Sequence, residues 1–373
     1  MEIGFLIDSL GSGGAQRQIV TIASNLSRRG FKINLVYYYN DSFFLKQLLD
    51  SNVKVYHVKN KTKNKISLFI KVIFQCRKLK IKHWISFTKG PNLILRFLKL
   101  LTFKIIIINS IRDPREKSID LIFPIGKLTL PLVNKWIANS QNSQNILLHK
   151  GIKSKSINLI RNALDLAFFK NDVDCDDVKN IVKKIHNRKF FFIPARFAKV
   201  KQQLLCVEAI NSLIQEGISL KNYVFVFIGR VAYPDYFENI LNFIKKNNLS
   251  THIIIYDAIN PIYPLFKKAY CTLIPSLWEG FPNTLIESFY LSIPVIVSDY
   301  PSLTEKIENY KNGIIFSNND HFDLAKAIKI FINLDNNKYK DMCASSYEVF
   351  EKNFKLDIII EKYIKLLKTE MKQ

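Results

Sequence analysis

The chain alternates short runs of β-branched and aromatic residues with longer amphipathic segments, and the alternation recurs in both halves of the sequence. The runs are 3–7, 32–39, 53–58, 83–87, 104–109 and 135–139 in the first half, and 190–194, 224–228, 252–256, 272–275 and 294–298 in the second. Repeated strand and helix predict parallel sheets covered by helices. We therefore predict an α/β fold with two Rossmann-like, doubly wound domains that face a central cleft.

The length of 373 residues also favours two domains, because one hydrophobic core rarely serves so long a chain. We predict an N-terminal domain at 1–164 and a C-terminal domain at 188–345. The polar stretch between them, which includes DVDCDD, makes 165–187 the predicted linker region. A helix is predicted over the remaining segment, 346–373.

The chain is strongly basic, with 55 Lys and Arg against 31 Asp and Glu and a formal net charge of +24. Such a charge attracts nucleic acid, phospholipid headgroups and polyphosphate substrates, although a general bias toward lysine would produce it too. The signatures of helix-turn-helix, zinc-finger, RRM and KH proteins are missing around the basic residues, so we expect no nucleic-acid partner.

Targeting signals and cysteine spacing bear on where the protein works. The five cysteines never show C-x-x-C spacing, which indicates a reducing compartment and no zinc site. No export signal opens the sequence, and cations interrupt its most apolar stretch, 93–108, so we expect a cytoplasmic protein, soluble or peripheral on the inner face of the cytoplasmic membrane. The basic, apolar segment 89–104 fits an interfacial helix, and it also fits a core helix with snorkelling lysines.

The most informative segment is PSLWEGFPNTLIESFYLSIPVIVSD at 275–299, in which Glu279 and Glu287 stand eight residues apart. A strand ending near Pro275 and a helix from about Asn283 would place Glu279 on a loop and Glu287 in the first turns of the helix. One carboxylate can accept two hydrogen bonds from a ribose diol, and another can hold sugar hydroxyls and stabilise positive charge at an anomeric carbon. The helix N-terminus would add backbone N–H groups for anionic contacts.

This segment resembles family 4 of the retaining glycosyltransferases, which have the GT-B fold, and bacterial polysaccharide-building members in particular. GSGGAQRQIVTIASNL, IRNALDL, ARFAKVK, FIG and PLFKKAYCTLIPS agree in order and extend the resemblance over nearly the full chain. The resemblance implies transfer of a hexose or N-acetylhexosamine from a nucleotide diphosphate sugar, UDP-linked by family habit. The implied acceptor is a saccharide, lipid-linked for capsule, lipopolysaccharide or a similar glycan, and the terminal helix would cross back to the N-terminal domain.

The same resemblance assigns catalytic roles to Glu279, Arg196 and Lys201, the two cations clamping the leaving diphosphate. Lys199 leaves the identity of the clamping lysine open, and Ala195 and Gln202 replace glycines that are common in the family. The expected donor-binding residues are Glu287 on the ribose together with Gly280, Phe281, Pro282, Asn283, Thr284, Leu285, Gly229, Gly13 and Gly14.

On the acceptor side, the resemblance points to Gln16 and Arg17, which follow the glycine loop 11–14. A position after a predicted strand points to Arg112 in INSIRDPREKS. That last segment also offers Asp113 and Arg115 after a predicted buried strand. A histidine base is not predicted, because HWISFTKGPN has Thr88 and Lys89 after its strand where many relatives carry a histidine.

Cofactor motifs are missing from the sequence. The glycine loop lacks the G-x-G-x-x-G spacing of a dinucleotide site, which disfavours a nicotinamide enzyme. No D-x-D is flanked by strand and loop in the second predicted domain, so we expect neither metal nor cofactor. Two alternatives stay open: a GT-B enzyme that epimerises, phosphorolyses or hydrolyses sugar nucleotides, and a non-catalytic protein that binds membrane or polyanion. Donor turnover and product analysis with and without acceptor separate the three.

Overall fold

The computed structural model describes residues 1–59, 64–102, 104–113, 125–169 and 175–371. It divides into two compact units, the first made of Met1–Leu164 with Phe354–Gln373 and the second of Asp165–Asn353. In the described parts of the chain, no helix combines the length and the apolar character needed to cross a membrane.

The first unit is built on a parallel sheet. Its strands are β1 Glu2–Leu6, β2 Lys32–Tyr37, β3 Lys54–His57, β4 His83–Phe87, β5 Ile106–Ile111, β6 Lys135–Ala138 and β7 Ile157–Leu159. Seven strands pair in the order β3-β2-β1-β4-β5-β6-β7. Gly4 of β1 pairs with Trp84 of β4, and a Cβ on Gly4 would lie 2.5 Å from the indole ring. A glycine is needed there because the buried indole lies over the neighbouring backbone.

Helices cover the sheet of the first unit: α1 Gly14–Arg28, α2 Leu45–Leu49, α3 Lys65–Lys78, α4 Lys89–Leu101, α5 Ile125–Leu128 and α6 Gln141–His149. The side chain of Asn64 accepts hydrogen bonds from the N–H groups of Ile66 and Ser67, which fixes the start of α3. Most of α4 is buried, so residues 89–101 form a core helix, and within it only Leu100 and Leu101 at its end expose large apolar side chains.

The second unit repeats the architecture with β8 Lys189–Pro194, β9 Tyr223–Ile228, β10 Ile253–Tyr256, β11 Cys271–Ile274, β12 Val295–Ser298 and β13 Gly313–Phe316. These form a six-stranded parallel sheet in the order β10-β9-β8-β11-β12-β13. Phe191 and Phe225 stack at 4.8 Å between ring centroids on adjacent strands, and both side chains are fully buried. The apolar runs of these strands are therefore buried on both faces, as parallel sheets require.

The helices of the second unit are α7 Asp176–Ile185, α8 Gln203–Gln215, α9 Pro234–Lys246, α10 Tyr263–Phe266, α11 Asn283–Tyr290, α12 Pro301–Thr304, α13 His321–Ile332 and α14 Asn336–Asn353. Asp176 and Asp177 begin α7 while Lys183 and Lys184 end it, a charge order that suits the helix dipole. A last helix, α15 Leu356–Met371, belongs to the first unit and packs on α1.

The two sheets differ from the sequence-based expectations in a few elements. The sequence did not predict strands β7 and β13; β7 has only three residues, and β13 begins with a glycine that interrupts its apolar run. Within the predicted linker, residues 176–185 form helix α7 of the second unit. The segment from residue 346 is not one helix, because α14 continues through Asn353 in the second unit before α15 begins.

The strand order reverses once in each sheet, between β1 and β4 in the first unit and between β8 and β11 in the second. At such a point the connections leave in opposite directions, so the carboxyl ends of the two central strands leave a crevice in which ligands bind. The loops after β1, β4, β8 and β11 are therefore where a functional site is expected.

Candidate functional site

In the second unit, the loops after β8 and β11 meet through charged side chains. Lys201 donates a hydrogen bond to Oε1 of Glu279 and forms an ion pair with it, although 78 residues separate them in sequence. Ser276 Oγ donates to the same oxygen at 2.8 Å. The backbone joins the loops as well, since the N–H of Leu277 donates to the carbonyl of Val200 at 2.9 Å. Two of the predicted catalytic residues thus lie in direct contact.

The loop after β8 carries Arg196, whose residue is exposed at the carboxyl edge of the sheet. Buried Gln203 holds this loop, because its Nε2 donates to the carbonyl of Arg196 at 2.8 Å. Gly229 at the end of β9 packs against the same loop, and a Cβ there would lie 2.2 Å from the carbonyl oxygen of Ala195. Gly229 therefore has a packing role that fixes the backbone before Arg196.

The structure explains how Gln202 replaces a glycine. Its φ is 48°, the left-handed region that glycine adopts most easily, so the backbone conformation is kept at some cost in strain. Its Nε2 donates to Asn319 Oδ1 at 2.8 Å, which anchors the residue to the loop after β13. This turn ends the short 3₁₀ helix Lys199–Lys201 and sets the position of Lys201.

Glu287 lies inside α11, one turn beyond its start, and only 7% of the residue is exposed. It accepts a hydrogen bond from the phenol of Tyr263 at 3.2 Å. The ring of Tyr263 packs on Phe169 with 3.9 Å between centroids, and Phe169 also contacts Tyr290 of α11. An aromatic group thus supports the second glutamate of the E-x7-E motif.

The segment before Glu287 follows the predicted loop and helix. Gly280, Phe281 and Pro282 precede α11, and Asn283, Thr284 and Leu285 form its first turn. Leu285 and Phe281 are buried, with 0% and 4% exposed, so their side chains pack in the core and only their backbones remain for a ligand. Of the ten predicted donor-binding residues, these two could therefore contact a ligand only through their backbones.

Three serines that the sequence did not single out position Glu279. Ser302 Oγ donates to the carbonyl of Glu279 at 2.6 Å, and Ser298 Oγ donates to the carbonyl of Ser276 at 2.7 Å. Ser276 itself contacts the carboxylate. Asn318 adds a bond from Nδ2 to the carbonyl of Leu277 at 3.0 Å. The available signal for Ser276 and Ser298 was their position at or just after the end of a short apolar strand.

In the first unit, Asp8 follows β1, and its carboxylate accepts three hydrogen bonds. The donors are Ser9 N at 2.8 Å, Gln16 Nε2 at 3.0 Å and Thr88 Oγ1 at 3.1 Å. Thr88 begins the segment after β4, so Asp8 joins the two sides of the strand-order reversal. The sequence analysis missed Asp8, and its signal was an acidic residue placed directly between the first strand and the glycine loop.

Asp8 and Thr88 line a cavity of about 380 Å³ in the first unit, together with Lys89, Arg96, Arg112 and Trp136. Gly13 lies before α1 and Gly14 is its first residue. A Cβ on Gly13 would meet the end of the Gln16 side chain at 2.3 Å. The Gln16 side chain therefore lies against the backbone of Gly13 while it donates its hydrogen bond to Asp8. Arg17, the next residue, is half-buried.

Arg112 has partners that the sequence could not show. It donates to Asn162 Oδ1 and, at 3.0 Å, to the phenol of Tyr363 in α15, and its guanidinium lies 4.2 Å from the centre of the Phe87 ring. Burial lowers the pKa of Arg112 from its usual value, while Tyr363 acts in the opposite direction. Its first role in the fold is therefore to hold α15. Arg115, from the same predicted acceptor segment, lies outside the described residues.

Within the described ranges, no group of three or more His, Cys, Asp or Glu side chains is arranged to hold a metal ion. The DVDCDD segment, 172–177, is only partly described, because its first three residues fall in the gap between 169 and 175.

Residues 175–349 match the family model described as Glycosyl transferases group 1. The second unit thus carries a glycosyltransferase domain, and the two parallel sheets have the order of the GT-B fold. This confirms the two Rossmann-like domains and the glycosyltransferase class that the sequence predicted, while the retaining mechanism stays a prediction.

Two curated proteins of Campylobacter jejuni are similar over nearly the full length. One is N-acetylgalactosamine-N,N'-diacetylbacillosaminyl-diphospho-undecaprenol 4-alpha-N-acetylgalactosaminyltransferase, 25% identical over 94% of this chain and 96% of that protein. The other is GalNAc-alpha-(1->4)-GalNAc-alpha-(1->3)-diNAcBac-PP-undecaprenol alpha-1,4-N-acetyl-D-galactosaminyltransferase, 23% identical over 98% of each chain. Both names specify a saccharide acceptor linked to undecaprenol.

Solved structures show the same fold. Anabaena HepE in complex with UDP and glucose gives a TM-score of 0.83 at 17% identity, covering 99% of this chain and 100% of that one. The apo form of lipopolysaccharide outer core galactosyltransferase WaaB gives a TM-score of 0.74 at 15% identity, with the same coverage. At such identities the likeness establishes the fold alone.

Proposed function

We propose that the protein is a retaining glycosyltransferase that moves a hexose or N-acetylhexosamine from a UDP-sugar to a lipid-linked saccharide, at the inner face of the cytoplasmic membrane, for a surface glycan. The observation that carries the proposal is the contact of Lys201 with Glu279 at the strand-order reversal of the second unit, beside exposed Arg196. The named acceptors of the two Campylobacter jejuni relatives support the lipid-linked saccharide.

In this proposal the donor diphosphate takes the place of Glu279 on Lys201. Without ligand, the lysine and the glutamate neutralise each other at the carboxyl ends of β8 and β11. A diphosphate between Arg196 and Lys201 offers the lysine more negative charge, so Glu279 is released toward the hydroxyls of the transferred sugar. The ion pair thus keeps both groups positioned until the donor arrives.

The transfer step makes one bond and breaks one. The acceptor hydroxyl oxygen bonds to the anomeric carbon as the bond from that carbon to the diphosphate oxygen breaks. The leaving oxygen accepts the hydroxyl proton, and both events occur on one face of the sugar, which gives retention. Arg196 and Lys201 stabilise the charge that builds on the leaving diphosphate, and Glu279 stabilises the positive anomeric centre. The α-linkages named for the relatives agree with retention from an α-linked donor.

The remaining residues bind and orient. Glu287 accepts hydrogen bonds from the ribose hydroxyls, and the phenol of Tyr263 holds its carboxylate in place. The backbone N–H groups at the start of α11 contribute further polar contacts. In the first unit, Gly13 and Gly14 are the proposed backbone contacts of the donor. Gln16, Arg17 and Arg112 are the proposed acceptor contacts, and of these Arg112 lines the cavity with Asp8. Neither a metal nor a cofactor takes part in this proposal.

An assay panel tests the proposed function directly. Purified protein is incubated with UDP-, GDP- and ADP-sugars, with and without a prenyl-diphosphate saccharide, and the products are identified by mass spectrometry in buffer containing EDTA. We expect a UDP-sugar to be consumed and one sugar added to the acceptor despite the chelator. Products formed equally without acceptor would instead indicate an epimerase, phosphorylase or hydrolase. If no nucleotide sugar were consumed under any condition, the result would indicate a binding protein.

A further inference from the structure

Helix α3 exposes a line of apolar side chains that the core does not use. Ile66, Ile70 and Phe74 are 71%, 45% and 60% exposed. Their spacing of four residues aligns them along one side of the helix over roughly 12 Å. The opposite side of α3 is buried through Val72 and Cys76, among others. A helix at a protein surface needs only one apolar face for packing, and the described part of the chain leaves the second face, Ile66, Ile70 and Phe74, here called the α3 stripe, exposed.

The α3 stripe is bordered by positive charge. Lys65, Lys71, Arg77 and Lys78 of the same helix are exposed, and α3 contains no acidic residue. The surrounding sequence continues this pattern, because residues 51–112 contain 15 Lys and Arg and no Asp or Glu. The rest of the chain holds 40 Lys and Arg against all 31 Asp and Glu. A general lysine bias would spread the excess evenly, so the concentration around α3 indicates a local anionic partner.

The neighbouring helix α4 extends the apolar character. It packs on α3, with Phe97 and Phe69 in edge-on contact at 5.3 Å between ring centroids. Leu100 and Leu101 at its end are 41% and 54% exposed. Of the segment 89–104 that the sequence put forward as an interfacial helix, only this end is available, and the exposed face belongs to α3.

We infer that the α3 stripe inserts among the headgroups of an anionic lipid bilayer while the bordering lysines and arginine contact lipid phosphates. Exposed apolar side chains flanked by cations are the chemistry of a helix lying in a membrane interface, where apolar burial and electrostatic attraction act together. The inference deepens the proposed function, on which it rests for the membrane location, by naming the surface that meets the lipid.

The test is flotation of the full chain with vesicles of phosphatidylcholine, with or without phosphatidylglycerol. We expect the wild type to bind the anionic vesicles preferentially and added salt to weaken binding. The variant I66S/I70S/F74S should lose about tenfold or more in partition coefficient. A matched control, L241S/Y310S/F322S, removes side chains of the second unit that are 42%, 59% and 60% exposed and should bind as the wild type does. Circular dichroism checks that both variants fold.

Two outcomes would overturn the inference: equal binding by I66S/I70S/F74S and wild type, or no preference of the wild type for anionic vesicles. Analytical ultracentrifugation gives a third check. If the wild type proved to be a dimer and the variant a monomer, the stripe would be a contact between copies, and the inference would be overturned. The vesicles contain no saccharide, so binding is measured apart from transfer. Stripe-dependent binding without any donor turnover would defeat the proposed function and leave the membrane surface standing.

Discussion

Lys201 and Glu279 form an ion pair between the loops that follow the two central strands of the second sheet. Only 22% and 15% of their side chains are exposed, so neither charge is fully compensated by water. Removing one partner therefore leaves the other in a partly desolvated place. The pair makes the two residues energetically dependent on each other, and this dependence can be measured.

We expect K201A and E279A each to lower kcat/KM for transfer by about a hundredfold, because each removes charge that stabilises the transition state. The double variant should lose clearly less than the product of the two effects, since residues in contact are not additive. K199A, on the same loop, is the matched control and should stay within a few-fold of wild type. Near-wild-type rates for both single variants would refute the assignment, and a severe loss in K199A would move the clamp to Lys199.

UDP and UDP-sugar should respond oppositely to E279A. With the carboxylate gone, Lys201 is free for diphosphate, so UDP alone should bind a few-fold more tightly than to wild type. The intact UDP-sugar should bind more weakly relative to UDP, because the contacts of Glu279 with the sugar are lost. Isothermal titration calorimetry with both ligands measures this ratio. Weaker binding of UDP to the variant would contradict the exchange of Glu279 for diphosphate.

Y263F should weaken donor binding by about 1 kcal/mol, roughly fivefold in Kd, because Glu287 loses the phenol that orients it. The ring contact with Phe169 is kept, so the thermal stability should change little. Y290F is the control, since it removes a phenol from the same aromatic group without touching the bond to Glu287. Equal effects of the two substitutions on UDP binding would show that Tyr263 acts only through packing.

G229A should destabilise the second unit by about 1–3 kcal/mol, since its Cβ would overlap the backbone carbonyl of Ala195. The strain falls on the residue before Arg196, so transfer should decline as well. G13A is the comparison, because its Cβ meets only the end of the Gln16 side chain, which can rotate away. Urea unfolding of the two variants should rank G229A well below G13A, and the reverse order would contradict the packing role.

Cysteine reactivity offers a test that is independent of activity. Burial raises the pKa of Cys76, Cys206 and Cys271, and thiolate forms only as pH rises through the pKa, so these thiols stay protonated near neutral pH. Burial also raises the pKa of half-buried Cys343. At about pH 8, DTNB should react fastest with Cys175 and more slowly with Cys343. C175S should remove the fastest phase. Rapid reaction of all five thiols would contradict the burial of Cys76, Cys206 and Cys271.

Much of the fold could be predicted from the sequence, because apolar runs of strand length and amphipathic segments directly indicate which residues are buried. The E-x7-E segment likewise predicted a loop for Glu279 and a helix for Glu287, since strand, turn and helix signals lie within a few residues of each other. The strand order, by contrast, depends on packing between segments that are distant in sequence. Asp8 shows this, because its bond to Thr88 exists only when β1 lies beside β4.

The side-chain environments were the least predictable part. Leu285 stands in the middle of the segment predicted to bind the donor, yet its side chain belongs to the core. Arg112 appeared at the end of a strand, where an acceptor could reach it, but its partner Tyr363 is 251 residues away. The sequence also marked 89–104 as basic and apolar without telling which apolar face the fold covers. Each of these outcomes is decided by contacts between separate elements.

Helix α15 belongs to the first unit although the whole second unit precedes it in the chain, and Ile359, Ile360 and Leu367 are buried within the first unit. A ribosome therefore releases the second unit before it has made the helix that covers α1. Until then the apolar side of α1 and the guanidinium of Arg112 lack their partners on α15. Because α15 is synthesised last, the first unit is completed after the second. A chaperone would therefore bind the incomplete first unit, at the side of α1 that α15 later covers.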